Sequence, residues 1–462
     1  MLSNTRCQDI FAELLKYSDA DETELIVAGG ASELTRFANN TIHQNVAEEG
    51  YTLSVRTVYG NRTARASTNK FDSQSLKRVI AEAASLTRQQ QPDPELLPMP
   101  GPQQYRAVER YHEATEAVTP AERAQAVRRA IEIAEKSGQT AAGTFSTASG
   151  MQAILNSRGL AAYYRDTLAE FSVTTLAADS SGWAKKTAPD VREIDAEALA
   201  MRASRIAVQS RAPKECSPGK YVTILEPPAV LDLLGFMFWD FSGQAVRDQR
   251  SFLTGRMGTK LFGDNIHVTD DAYHPLQFGA PFDGEGVARK AVQLVEGGVP
   301  KGLTYARHTA KAMGAEPTGH GFPLPNEYGE APLNIVVGGG TRGVENVPSI
   351  EGARSVEDAH SVEEMIASTE RGVLVTRLWY IREVDPYKKI LTGMTRDGTF
   401  YVEDGKVRHG IRNFRFNQSL IDLLNCVQML GIPERSSGEE SAPMVVPAMK
   451  VREFNFTEVT KF

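Results

Sequence analysis

Eight histidines, His43, His112, His267, His274, His308, His320, His360 and His409, are the first candidates for metal or acid–base chemistry. His267 and His274 flank Asp270-Asp271, but a seven-residue spacing in a loop does not present donors on one face. His112-Glu113-Ala114-Thr115-Glu116 starts as a zincin motif does and then has Glu where the second His must stand. It is expected to be solvated surface. Gly338-Gly339-Gly340-Thr341-Arg342-Gly343 follows the apolar run Leu333 to Val337. Free N–H groups after a strand can hold a phosphate, but the Lys-Ser/Thr of a P-loop and the dinucleotide register are both missing. The expectation is a loop at a cleft rim, where Gly339 and Gly340 offer backbone to an extended peptide. No G-x-S-x-G elbow occurs. Arg377, Arg382 and Arg396 can each grip a peptide carboxylate bidentately; two of the three are expected instead to pair with Glu383, Asp385 or Asp397.

Two further acids, Asp232 and Asp240, stand in the apolar stretch Ala229 to Asp240. That stretch reads as a buried helix, about 228–241, after the strand Tyr221 to Leu225. Eight residues apart, the two carboxylates would share roughly one helix face and become cleft candidates.

The elements that must position these groups fall into two textures. Residues 1–215 read as an N-terminal α/β domain, with antiparallel strands and packed helices. An amphipathic helix carries Ile10, Phe11, Leu14 and Leu15 on one face. Short strands follow at 24–28, 33–37, 41–46, 51–58 and 63–66, separated at Gly29-Gly30, Asn39-Asn40 and Gly60-Asn61. Helical patterns cover 73–88, 120–136 and 195–210, with further strands at 140–147, 151–157, 160–166 and 168–178. Residues 91–104 hold five prolines and form an extended connector. Residues 216–462 are rich in glycine and short apolar runs, and predict a mostly β, barrel-like domain with one helix laid across it and a closing strand at 447–456. The whole is α+β.

The 462 residues carry a net charge of −7, with no Lys/Arg run longer than two. That excludes the basic face of a nucleic-acid binder. No run approaches the ~20 apolar residues of a membrane helix, and a cytoplasmic location is expected. Cys7, Cys216 and Cys426 are odd in number and far apart, which excludes a disulfide framework.

Several segments, in order, resemble the TldD/PmbA (TldD/TldE) family of zinc metalloproteases, also labelled modulators of DNA gyrase. They are Thr35 to Asn40 with Ile42 to Asn45, Phe282 to Val287, Leu294 to Gly302, Thr318 to Gly321, Leu391 to Gly398 and Tyr401 to Lys406. The resemblance implies a two-domain fold, a peptide cleft and dimerisation. Laid on the family's His-Glu-x-x-x-His helix, Leu231 stands at the first ligand His, Asp232 at the general-base Glu and Phe236 at the second His. Near Ser436-Ser437-Gly438-Glu439 the family's Cys-Gly ligand is replaced by serine. Leu and Phe offer no lone pair, whereas catalytic zinc needs about three protein ligands. The degenerate motif resembles the TldE/PmbA branch. The expectation is a subunit with no catalytic residue, metal or cofactor of its own, zinc residing in a TldD-type partner, and peptide or unfolded protein as substrate. Two alternatives stand beside it: a homodimeric peptide-binding protein without catalysis, and a family protease with a relocated metal site.

Overall fold

The computed structural model describes residues 1–338 and 359–460. The N-terminal part starts with α1 (Asn4–Leu15), capped by the Ser3 side chain. Its Cys7, Ile10, Phe11 and Leu14 are buried. Then come β1 (Glu22–Ala38), β2 (Thr41–Tyr59), β3 (Arg62–Thr68) and α2 (Ser73–Gln89). After the proline-rich connector follow α3 (Glu113–Glu116), α4 (Pro120–Lys136), β4 (Thr140–Asn156), β5 (Ala161–Leu176), β6 (Ser181–Ala188) and α5 (Ala196–Gln209). Local capping explains where these helices begin: Asp72 caps α2, and Thr119 with Glu122 forms a capping box on α4. The six strands make one antiparallel sheet in the order β3-β2-β1-β4-β5-β6.

Here the sequence expectation of many short strands is corrected. Gly29-Gly30 is not a break: β1 runs through it for 17 residues. Gly30 faces Gly50 of β2 and Gly150 of β4, so three glycines align across the sheet. A Cβ on Gly30 would lie 1.9 Å from the Ser149 carbonyl oxygen, whereas one on Gly50 would meet nothing within 4 Å. The glycines allow close backbone approach rather than a turn. Gly30→Ala is therefore expected to destabilise the sheet by ~3 kcal/mol, with Gly50→Ala close to neutral. The thermal midpoints of the two variants check this contrast; equal shifts would refute it.

In the C-terminal part, β7 (Gly219–Leu225) leads into α6 (Pro227–Leu234), and α7 (Gly243–Arg247) follows. Next are β8 (Val268–Asp270), β9 (Val292–Glu296), β10 (Val299–Pro300), α8 (Arg307–Met313), β11 (Ile335–Val337) and α9 (Val362–Ala367). The remaining elements are β12 (Arg371–Asp385), β13 (Ile390–Glu403), β14 (Lys406–Gly410), β15 (Phe414–Ser419), α10 (Leu420–Asn425), β16 (Val427–Leu430), β17 (Glu434–Ser436), β18 (Met444–Val446) and β19 (Met449–Val459). Strands β12, β7, β19, β15 and β13 pair in that order, and β13 pairs back to β12, closing a five-stranded barrel. Closure leaves no open edge among these strands. An aromatic set fills it: Phe414 and Phe456 stack at 4.7 Å, and Phe454 lies 5.0 Å from Phe456. A second sheet, β10-β9-β8-β11-β18-β17, lies beside it. The α+β class with a barrel-like C-terminal part, expected from sequence, is the observed fold. No helix of the described residues is long and apolar enough to cross a membrane.

The expected helix at 228–241 is shorter than its apolar pattern implied. Pro227 and Pro228 start α6. After Leu234 the hydrogen bonds tighten, Phe236 N–H to the Leu233 carbonyl and Met237 N–H to that of Leu234. A separate 3₁₀ turn covers Phe238–Phe241. At this point another segment packs closely: a Cβ on Gly235 would lie 1.9 Å from Ser441 Oγ, so glycine makes the room. Asp232 and Asp240 therefore do not share a helix face.

Candidate functional site

The turn after α6 forms one wall of a cleft of about 450 Å³. Gly235, Phe236, Trp239 and Asp240 line that wall; Glu383 and Lys389 come from the β12–β13 hairpin, Tyr328 and Glu330 from the segment before β11, and Glu440 and Ser441 from the β17–β18 loop. Lys389 is the hub. Its ammonium pairs with Asp240, meets Glu383 Oε1 at 2.8 Å and donates to the Phe236 carbonyl at 3.2 Å. Asp240 Oδ1 accepts from Phe252 N–H at 3.0 Å. Burial raises the Asp240 pKa, with Lys389 opposing the rise. Glu330 is fully buried, and both its oxygens are satisfied. Ser242 Oγ and Gln244 N–H donate to Oε1, and Ala306 N–H and Thr309 Oγ1 to Oε2.

Asp232 lies outside this cleft. It is 1% exposed, and its Oδ1 accepts from Glu440 N–H at 3.1 Å. Burial raises its pKa to about 7. The β17–β18 loop lies directly on α6: a Cβ on Gly438 would stand 2.1 Å from Asp232 Oδ1 and 2.7 Å from Leu231 Cδ2. Strand β6 clamps the loop from the other side. Lys185 Nζ donates to the Gly438 carbonyl at 3.1 Å, and Ser437 Oγ bonds Thr187 Oγ1 at 2.7 Å.

The remaining sequence candidates are dispersed. Arg377 is buried against Asp397 at 3.1 Å, and Arg396 lies 3.7 Å from the same carboxylate and over the Trp379 ring. Arg382 is mostly exposed and approaches Glu440 at 3.8 Å, not Glu383 or Asp385. Neither Arg382 nor Arg396 lines the cleft, because β12 and β13 direct them to other partners. Gly339 and Gly340 lie outside the described residues. His267 and His274 do not converge with Asp270. Asp270 pairs instead with His320, 50 residues on, at 2.8 Å and with both side chains fully buried. Sequence reasoning missed Lys389, Glu330, Glu440, Trp239 and Tyr328. They come from separate segments, and no spacing rule connects them.

Zinc chemistry can be tested against these donors. The segments expected to carry three ligands do meet, α6 against the Gly438 loop. Leu231 is sealed in the apolar core, Phe236 has no lone pair, and the Ser437 hydroxyl is engaged with Thr187. Asp232 offers a carboxylate, and Ser436 a buried neutral hydroxyl with no hydrogen-bond partner among the described residues, but no imidazole or thiolate accompanies them. These residues do not fit a catalytic zinc. Among the described residues, no group of three or more His, Cys, Asp or Glu side chains is arranged to hold a metal ion.

Fold and cleft together define an α+β protein with a closed five-stranded barrel and a cleft between the turn after α6, the β12–β13 hairpin and the β17–β18 loop. Residues 218–458 match the PmbA/TldA metallopeptidase C-terminal domain, residues 23–87 domain 1 and residues 113–211 the central domain. The chain belongs to the PmbA/TldD metallopeptidase family. It is 21% identical to the metalloprotease PmbA of Escherichia coli O157:H7, over 94% of this chain and 92% of that one. An uncharacterized Methanocaldococcus jannaschii protein, MJ0231, is 30% identical over 37% of this chain, a match spanning 41% of that relative. The fold is shared with TldE from Thermococcus kodakarensis (TM-score 0.84, 20% identity, covering 98% of this chain and 99% of that one). It is shared equally with a Thermotoga maritima protein named for modulation of a DNA gyrase (TM-score 0.85, 20% identity, covering 98% and 100%).

Proposed function

We propose that the chain is a metal-free, TldE/PmbA-type subunit of a TldD/TldE-like metalloprotease. It completes and shapes the peptide cleft, while a TldD-type partner supplies zinc, general base and hydrolysis. The observation that supports this reading is the contact of Leu231 and Asp232 with the Ser437-Gly438 loop: the helix and loop expected to carry a metal meet, and the side chains found there do not suit zinc. The substrate class is peptide or unfolded protein, and the location cytoplasmic. With the net charge at −7, the name linked to DNA gyrase is not read as direct DNA contact.

A peptidase assay tests this. The chain alone, with or without added zinc, is expected to hydrolyse no unstructured peptide. A TldD-type protein mixed with it is expected to gain activity that a chelator removes. Zinc-dependent hydrolysis by the lone chain would contradict the reading and favour a relocated site. Peptide binding with no response from any TldD-type protein would favour a stand-alone homodimeric binder.

A further inference from the structure

Three features of the cleft bear on what enters it. First, its lysine is already committed. Lys389 is 4% exposed and spends its three N–H donors on Asp240, Glu383 and the Phe236 carbonyl. It cannot take a substrate carboxylate without giving up a partner. Second, the lining is acidic. Asp240, Glu330, Glu383 and Glu440 stand against Lys389 and Arg250. Arg382 touches Glu440 without lining the cleft, and counting it still leaves an excess of negative charge. Glu383 engages Lys389 through Oε1, which leaves Oε2 to accept from a ligand. Third, and independent of the acids, the wall carries aromatic rings in contact with solvent. Trp239 is 53% exposed and Tyr328 72%. Trp239 is steadied by stacking on Phe322 at 5.8 Å. An indole face beside carboxylates is a receptor for a cation, because the ring's negative face and the acids attract the same charge.

We propose that this cleft is a recognition subsite for a cationic group of a peptide, an amino-terminal ammonium or a Lys or Arg side chain, received by Trp239, Tyr328, Glu383 and Glu440. The inference rests on the cleft-completing function proposed above and adds the class of peptide that the subunit selects.

The test is a binding titration on the full chain, followed by tryptophan fluorescence and calorimetry. The probes are an unstructured hexapeptide with a free amino terminus and one lysine, and its acetylated norleucine analogue; analogues carrying only one of the two changes show which cation is received. At low salt the cationic peptide is expected to bind about tenfold more tightly, with the difference shrinking at high salt. Glu440→Gln keeps an oxygen for the Tyr380 N–H and should erase most of the preference, as should Trp239→Leu. Tyr328→Leu, at a more exposed ring, guards against a folding artefact. Equal binding of the two probes, or a preference for the neutral one, would overturn the inference and leave the subunit function standing. Binding of neither probe would overturn both.

Discussion

Lys389→Met is expected to destabilise the C-terminal part by about 3–5 kcal/mol, the usual result of removing one partner from a buried ion pair. The methionine fills similar volume, so packing changes little. What is lost is the only cation among the described residues that contacts Asp240, a carboxylate 7% exposed. The backbone N–H of Phe252 still reaches Asp240 Oδ1, but one hydrogen bond does not neutralise a buried charge. The companion variant Asp240→Asn should recover much of the loss when combined with Lys389→Met, because the pair is then removed together. Urea unfolding of the single and double variants measures the coupling. Strictly additive losses would show that the pair does not hold the cleft as described.

The second large effect belongs to Asp232. Its pKa is raised from 3.8 to about 7 by burial, against the opposing pull of the Glu440 and Glu439 N–H groups and of Arg377. Between pH 4 and pH 7 the folded chain holds this proton and the unfolded chain does not. Stability therefore falls as pH rises through that window. With ~1.4 kcal/mol for each tenfold change in proton affinity, the full cost above pH 7 is about 4 kcal/mol. Asp232→Asn keeps the acceptor for Glu440 N–H and carries no charge at any pH. It should be nearly neutral at pH 4 and stabilising at pH 8. Glu285, also raised to about 7 by burial and by Asp283, drifts in the same direction, so the informative quantity is the difference between variant and wild type at each pH. If that difference is the same at pH 4 and pH 8, Asp232 is not buried as a neutral acid.

What the sequence revealed and concealed follows from the range of the forces involved. Helices α2 and α4 were legible nearly to the residue, because Asp72, Thr119 and Glu122 act within one turn. The closing strand β19 was legible as an apolar run after Pro447. Strand β6 was missed: Ser181–Ala188 has no strong alternation, and its burial comes from contact with α5 and the Gly438 loop. Gly29-Gly30 read as a break because glycine has the same local signature in a turn and in a close strand crossing; only Gly50 and Gly150 decide between them. Gly235 is tolerated in a helical pattern, and the Ser441 side chain that packs against it lies 206 positions away. The site divides the same way. The lone-pair deficit at Leu231 and Phe236 is visible in the residue types. The Lys389 hub and the aromatic wall appear only when the β12–β13 hairpin and the segment before β11 reach the end of α6.

The most direct measurement is zinc stoichiometry by elemental analysis, on the purified chain and on the chain co-purified with a TldD-type protein. The expected result is no bound zinc in the lone chain and close to one zinc per pair, removable with the partner. Stoichiometric zinc in the lone chain would contradict the reading of Leu231, Phe236 and Ser437 as positions that have lost their ligands.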